Sequence, residues 1–178
     1  MSVYTNEDYN SGDGMLTSVW GPGLWHYLHT MSFNYPIHPS KENKKYYKEF
    51  ILLLKHVLPC KHCRTNLVKN FKELPLLDKH MESRDTFSKY VYDLHEHINK
   101  MLGKISNLSF EDVRERYEHF RARCSKKITK KEKGCTESLY GEKAKCIIKI
   151  VPNKYKCKTF QMNKSCKKKR LRKSAKIV

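Results

Sequence analysis

Two cysteines, Cys60 and Cys63, lie one helical turn apart in the stretch Pro59-Cys60-Lys61-His62-Cys63. A pair at that spacing can close a redox-active disulfide or supply half of a zinc site. The segment before it, Ser40 to Leu58, carries Tyr46, Phe50, Leu53, Leu54 and Val57 at helical spacing, and Pro59 stops it by lacking an N–H and restricting the residue before it. A new helical pattern through Leu67 and Phe71 begins at the cysteines themselves. A thiolate at that point feels the positive end of the helix dipole and several unpaired N–H groups. Lys61 and His62, between the sulfurs, push the same way, toward the deprotonated and reactive form. The zinc alternative asks for a second cysteine pair, and the body of the chain offers none. The other five cysteines (Cys124, Cys135, Cys146, Cys157, Cys166) all follow residue 123 at spacings unlike a zinc ribbon. The pair therefore reads as a dithiol/disulfide couple, with no metal.

The elements that must hold this pair read as helices almost throughout. Helix one opens at Gly21-Pro22, with proline suited to a first turn, and runs through Leu24, Trp25, Leu28 and Met31 to Tyr35-Pro36. Helix two is Ser40–Leu58 with Ser40 as N-cap, and helix three starts at the cysteines. Helix four spans Ser83 to Leu102, with Phe87, Tyr90, Val91, Leu94, Ile98 and Met101 on one stripe and Gly103 as its stop. Helix five begins at the capping-box pattern Ser109-Phe110-Glu111-Asp112 and carries Val113, Tyr117 and Phe120. The fold class expected is all-α: an antiparallel four-helix bundle plus a short fifth helix, followed by a basic Cys-rich C-terminal extension.

Charge divides the chain. Residues 1–123 hold 18 Lys and Arg against 15 Asp and Glu, whereas residues 124–178 hold 19 against 3, so most of the net +19 belongs to the extension. The expected organisation is a flexible polar N-terminus over residues 1–14, a domain over 15–123, and a tail over 124–178. Within the tail, Lys145–Val151 and Tyr155–Met162 are expected to form a β-hairpin around Pro152-Asn153. The lysine-rich runs 126–133 and 167–176 suit a solvated extension or contact with a polyanion. No run of 18 apolar residues suggests a membrane span, and Met1 to Gly14 lacks the apolar core of a secretory signal. The expectation is a protein that is not secreted and lies in the cytoplasm.

Three blocks in order carry a family resemblance. They are Trp20-Gly21-Pro22-Gly23-Leu24-Trp25-His26-Tyr27-Leu28-His29-Thr30 with Tyr35-Pro36, then Pro59-Cys60-Lys61-His62-Cys63, then Leu94-His95-Glu96-His97-Ile98-Asn99-Lys100-Met101-Leu102-Gly103-Lys104. Over roughly residues 15–122 the chain resembles the Erv/ALR flavin-linked sulfhydryl oxidases, and most of all those of large cytoplasmic DNA viruses. The resemblance implies FAD held inside the bundle beside Cys60 and Cys63. It implies that Gly21 and Trp25 approach and pack on the flavin, and that His29 contacts it. His95 and Asn99 would lie on the adenosine portion, Lys104 near the phosphates and Tyr117 against the adenine.

It also implies thiol-containing protein substrates, O2 as acceptor, hydrogen peroxide as product, a homodimer, and a setting in host cytoplasm or virion. The chain departs from the family pattern in three places. Glu96 stands where asparagine is common, Tyr92 and Ser109 stand where a structural disulfide is usual, and Pro22 replaces a frequent basic residue. Related oxidases often carry a second, mobile cysteine pair, for which Cys157 and Cys166 are the counterparts on mobility grounds. Against that, Cys135, Cys146 and Cys157 could staple or ligate a small folded module.

Two other classes are weighed beside the oxidase. A nucleic-acid-binding or virion structural protein would work through the basic tail, on a degenerate oxidase scaffold. A thioredoxin-like reductant would need a βαβ pattern around the cysteines, and the flanks are helical instead.

Overall fold

The computed structural model describes residues 3–123, 135–158 and 160–169. They form six α-helices, two 3-10 turns and one pair of two-residue strands: α1 (Asn6–Tyr9), α2 (Thr17–Phe33), α3 (Lys41–Val57), α4 (Lys61–Glu73), α5 (Arg84–Met101), α6 (Phe110–Glu118), β1 (Ala122–Arg123) and β2 (Glu137–Ser138). The chain divides into two compact units, residues 1–107 and 108–178.

The first unit is all-helical and holds the Cys60–Cys63 pair. In it α2 packs on α5, α3 on α4, and α4 on α5. Leu28, Tyr35, Ile51, Leu54, Leu67, Met81, Phe87, Tyr90, Val91 and Leu94 make one continuous core. Two buried tyrosines place their hydroxyls where loops need a donor: Tyr35 donates to Met81 O at 2.9 Å and Tyr90 to Leu74 O at 3.0 Å. Buried phenols find partners in this way because an unmatched hydroxyl in an apolar core is costly. The 3-10 turn Asp78–Met81 lies between α4 and α5, a short element with no periodicity to betray it in the sequence.

Helix limits follow local chemistry. Ser40 and Ser83 cap α3 and α5 by accepting from Asn43 N and Thr86 N. After α5, Gly103 takes a positive φ of 66°, a conformation that only glycine adopts cheaply. Gly103 N then donates to Lys100 O and Lys104 N to Asn99 O, the two bonds of a Schellman stop.

Helix α2 differs from its sequence reading. It starts at Thr17 rather than Gly21, so that Pro22 lies inside it, and it ends at Phe33 rather than at Tyr35-Pro36. The extra turn is held from before the proline. Val19 N and Trp20 N donate to Leu16 O, and the Trp20 indole donates to Met15 O. The stretch before residue 15, read as flexible, contains the single turn α1, closed by a Thr5–Asp8 capping box.

The second unit is thin. Helix α6 buries Val113 and Tyr117, and Tyr117 packs against Phe120 and Phe160 at ring separations of 5.7 and 6.5 Å. The Arg116 guanidinium lies 4.7 Å above the Phe160 ring. Strands β1 and β2 pair antiparallel, Ala122 opposite Ser138, and Glu142 N donates to Ser165 O. Lys168 N donates to His119 Nδ1 at 3.1 Å, while its ammonium stands 4.6 Å above Tyr140.

The hairpin expected from Lys145–Val151 and Tyr155–Met162 does not form among the described residues. Ile147, Ile148 and Ile150 are exposed and unpaired to any strand, because an isolated two-stranded ribbon without an apolar face to cover is marginal in water. Cys135 is disulfide-bonded, whereas Cys146, Cys157 and Cys166 are free, so Cys146 and Cys157 do not act as staples. The lysine runs at 126–133 and 170–176 lie outside the described residues.

Candidate redox site

Cys60 and Cys63 are joined as a disulfide, with their Cα atoms 5.2 Å apart. Cys60 is the N-cap of α4, and its sulfur accepts the Cys63 N–H at 3.2 Å. A sulfur in that position takes the place of a capping oxygen, so negative charge developing on it is met by a helix N-terminus. Cys63 is half-buried and packs against the core, while Lys61 and His62 are exposed. The Arg64 guanidinium donates to Leu58 O and ties the redox turn to the end of α3.

Helix α2 delivers the aromatic part of the site. Thr17, Gly21, Trp25 and His29 recur at i+4, which puts them along one slowly rotating stripe with about 6 Å of rise per step. At the start of this stripe Thr17 Oγ1 lies 3.7 Å from Cys63 Sγ. At its end Trp25 and His29 meet His95 of α5. The Trp25 and His95 rings stack at 3.8 Å with planes 4° apart, and His29 Nε2 lies 3.0 Å from His95 Nδ1. One of those two nitrogens carries the proton and the other accepts it. Burial holds His95 well below the usual histidine range, to about 4; Glu96 opposes that shift and Lys104 adds to it. His95 is therefore neutral at physiological pH.

One turn along α5, Asn99 Nδ2 donates to Glu96 Oε1 at 3.0 Å, and Ser106 donates to Glu96 Oε2 at 2.9 Å. Glu96, one of the departures from the family pattern, thus ties Asn99 and the loop after α5 into one cluster. Lys104, just past the Schellman stop, is exposed. His97 faces elsewhere, with Nε2 3.1 Å from the Glu73 carboxylate on α4.

The first unit therefore gathers Trp25, His29 and His95 into one cluster, with Asn99 following on α5 and Lys104 beyond its end, while Cys60 and Cys63 sit at α4 with Thr17 against them. Tyr117 belongs to the second unit, buried beside Phe120 and Phe160; burial pushes its hydroxyl up to about 12, with Arg116 opposing. The sequence reading missed Thr17 and the clamp made by Glu96. The i+4 stripe on α2 could have pointed to the first, and the i,i+3 spacing of Glu96 and Asn99 to part of the second, while the Ser106 contact depends on the path of the loop after α5.

Such a donor set suits a planar, phosphate-bearing redox cofactor. Aromatic faces can stack on a ring system, the neutral His95 imidazole can hydrogen-bond without competing charge, and Lys104 is a cation suited to phosphate. The fold and the site define the class: a helical bundle that carries a disulfide at a helix N-terminus and, between α2 and α5, a histidine–tryptophan cluster. The Erv1 / Alr family pattern matches residues 22–118, more than half of the chain, and the chain belongs to that family.

It is similar to a probable FAD-linked sulfhydryl oxidase, R368, of Acanthamoeba polyphaga mimivirus, with 34% identity over 90 residues, covering 51% of this chain and 63% of that protein. It is also similar to the FAD-linked sulfhydryl oxidase ERV1 of Arabidopsis thaliana (29% identity, 48% of this chain and 43% of that one). A third relative is the putative FAD-linked sulfhydryl oxidase 347L of Invertebrate iridescent virus 6 (32% identity, 48% and 81%). The match thus spans less than two thirds of the first two relatives. In fold the chain is similar to the crystal structure of the yeast Erv1 core, with a TM-score of 0.53 and 23% identity, covering 66% of this chain and 92% of that one.

Proposed function

We propose that the protein is an FAD-dependent thiol oxidase that forms disulfides in substrate proteins, with O2 as acceptor and hydrogen peroxide as product. The observation that carries this reading is the Cys60–Cys63 disulfide at the N-terminus of α4, touched by the same stripe of α2 that holds Trp25 and His29 against His95. Gly21, Trp25, His29, His95, Asn99 and Lys104 would hold FAD. Tyr117 is assigned to the adenine on the family resemblance alone. FAD supplies a two-electron acceptor for the dithiol and a route to O2.

The chain's own residues do the rest. Cys60, capping the helix, receives the incoming thiol; Cys63, half-buried, holds the electrons for transfer inward. The α4 N-terminus raises the thiolate fraction, and exchange rates follow it. His95 stays neutral and hydrogen-bonded to His29, which fixes the two rings relative to each other without placing a charge on His95. In this reading residues 15–123 are the oxidase domain, residues 1–14 a flexible N-terminus, and residues 124–178 an accessory tail that meets polyanions through its 19 basic residues against 3 acidic ones.

A homodimer is supported by the apolar stripe left open on α3. Tyr46, Phe50, Leu53 and Val57 recur on one face, are 59, 36, 54 and 66% exposed, and are joined by Tyr27 of α2. No helix among the described residues is long and apolar enough to cross a membrane. Relatives from mimivirus and an iridescent virus support a host-cell and virion setting.

The purified protein should be yellow, with a flavin spectrum, and should consume O2 on addition of dithiothreitol. Cys63→Ser should lose essentially all turnover while keeping the colour, because the electron donor is gone and the pocket is not. A colourless wild type that cannot be reconstituted with FAD, or a Cys63→Ser variant with normal turnover, ends the proposal.

A further inference from the structure

Thr17 has no part in the pattern that marks the family blocks, which begin at Trp20, yet its hydroxyl oxygen lies 3.7 Å from the Cys63 sulfur. In the disulfide Cys63 has no S–H, so the Thr17 hydroxyl is the only possible donor of that contact. Three further observations show that the approach is built. Gly14 lies so close to the redox turn that a Cβ there would come within 2.9 Å of Pro59 O. Met15 N donates to that same Pro59 O at 2.8 Å. The Trp20 indole donates to Met15 O at 3.0 Å, closing the strap 14–17 onto the first turn of α2. Thr17 is the first residue of α2, after the N-cap Leu16, so its hydroxyl does not stand in the capping position. Its methyl faces Gly21, at 3.7 Å from where a Cβ would stand, which leaves Oγ1 to the sulfur.

Resting on the oxidase reading, we propose that Thr17 is the hydrogen-bond donor to Cys63 as that sulfur becomes a thiolate. The two sulfurs then have separate donors, the Cys63 N–H for Cys60 and the Thr17 hydroxyl for Cys63. In the first step a substrate thiolate attacks Cys60 Sγ. A bond forms between the substrate sulfur and Cys60, the Cys60–Cys63 bond breaks, and its electron pair stays on Cys63 Sγ. No proton moves. The substrate's second thiolate then attacks the substrate sulfur of the mixed disulfide and releases Cys60 as thiolate, leaving the substrate oxidised. The rate of the first step depends on the leaving sulfur, which departs faster as its pKa falls. A hydroxyl aimed at Cys63 lowers that pKa, since a charge-assisted hydrogen bond favours the ionised form.

The test uses the full chain with Thr17→Val, which removes the hydroxyl and keeps the shape, and Thr17→Ser, which keeps the hydroxyl. The reduced protein is alkylated with iodoacetamide across a pH series and digested with trypsin. Cleavage after Lys61 and Arg64 separates Cys63 from Cys60, so the Cys63 profile is read alone by mass spectrometry. Thr17→Val should raise the pH midpoint of Cys63 alkylation by about one pH unit. It should also slow opening of the disulfide by dithiothreitol several-fold, with Thr17→Ser close to wild type in both. Gly14→Ala, which lifts the strap without touching the hydroxyl, should move the midpoint in the same direction. An unchanged midpoint and opening rate in Thr17→Val, or a Thr17→Ser variant impaired as much as Thr17→Val, overturns the proposal. Failure of the wild type to consume O2 with dithiothreitol would overturn the oxidase reading instead, since neither the alkylation midpoint nor disulfide opening depends on O2.

Discussion

The two units hold themselves together by different means. The first buries a continuous set of aliphatic and aromatic side chains, with Tyr35, Ile51, Phe87 and Val91 wholly inaccessible. Among its described residues the second buries only Val113 and Tyr117 of α6, and it relies on ring contacts, a disulfide at Cys135, a two-residue ladder and single hydrogen bonds. A unit that can bury little apolar surface needs covalent or specific polar ties, and the second unit shows both. The redox pair sits in the first, where packing can hold two sulfurs and an aromatic cluster in fixed relation. The free thiols Cys146 and Cys157 sit in the second, on exposed backbone without regular structure.

The contrast is broken or sharpened most strongly by emptying each core. Phe87→Ala should cost about 3–5 kcal/mol, because a fully buried ring is lost from a core that can only partly collapse. Phe160→Ala should cost no more than about 1–2 kcal/mol, since that ring is half-buried and already shares its contacts with solvent. Urea unfolding followed by circular dichroism measures both, and equal losses would mean that the second unit has a core as demanding as the first.

A smaller effect comes from acid. His95 has a folded-state pKa of about 4, below the 6.5 of an unfolded histidine, so the unfolded chain binds the proton first. The stability held above pH 6.5 is therefore lost as pH falls from about 6.5 toward 4. On this count the loss reaches about 3 kcal/mol. Melting curves across that window should show the slope in the wild type and a shallower one in His95→Gln. An identical slope in both would place the acid sensitivity elsewhere, His26 and His80 being the other histidines that burial lowers.

The smallest expected effect concerns the caps, where the units should behave alike. Ser40 in the first unit and Ser109 in the second both close capping boxes. Ser40→Ala and Ser109→Ala should each cost about 1 kcal/mol, read from the denaturant midpoint. A much smaller cost at Ser109 would show that α6 is held by its ring contacts rather than by its cap.

Much of the first unit was legible in the chain because its signals are local. Apolar spacing, Ser40 as a cap, Pro59 as a break and Gly103 as a stop each act within one or two turns, and helices α3 to α5 lie where these residues put them, as does α6 of the second unit behind its Ser109 capping box. Helix α2 outran its reading because its first turn is secured by bonds from Leu16 and Met15, which no periodicity reports. The tail's apolar run Lys145–Val151 has the composition of a strand but no partner surface, and composition alone cannot supply one.

By itself the sequence determined an all-α body and the two cysteines at a helix start. The tertiary structure decided how these residues are paired across helices. The Trp25–His95 stack, the His29–His95 bond, the Ser106 bond to Glu96, and Thr17 against Cys63 depend on packing or loop contacts rather than on spacing along one helix. Spacing along a chain fixes which face a side chain occupies, whereas contact between elements depends on how their faces are brought together.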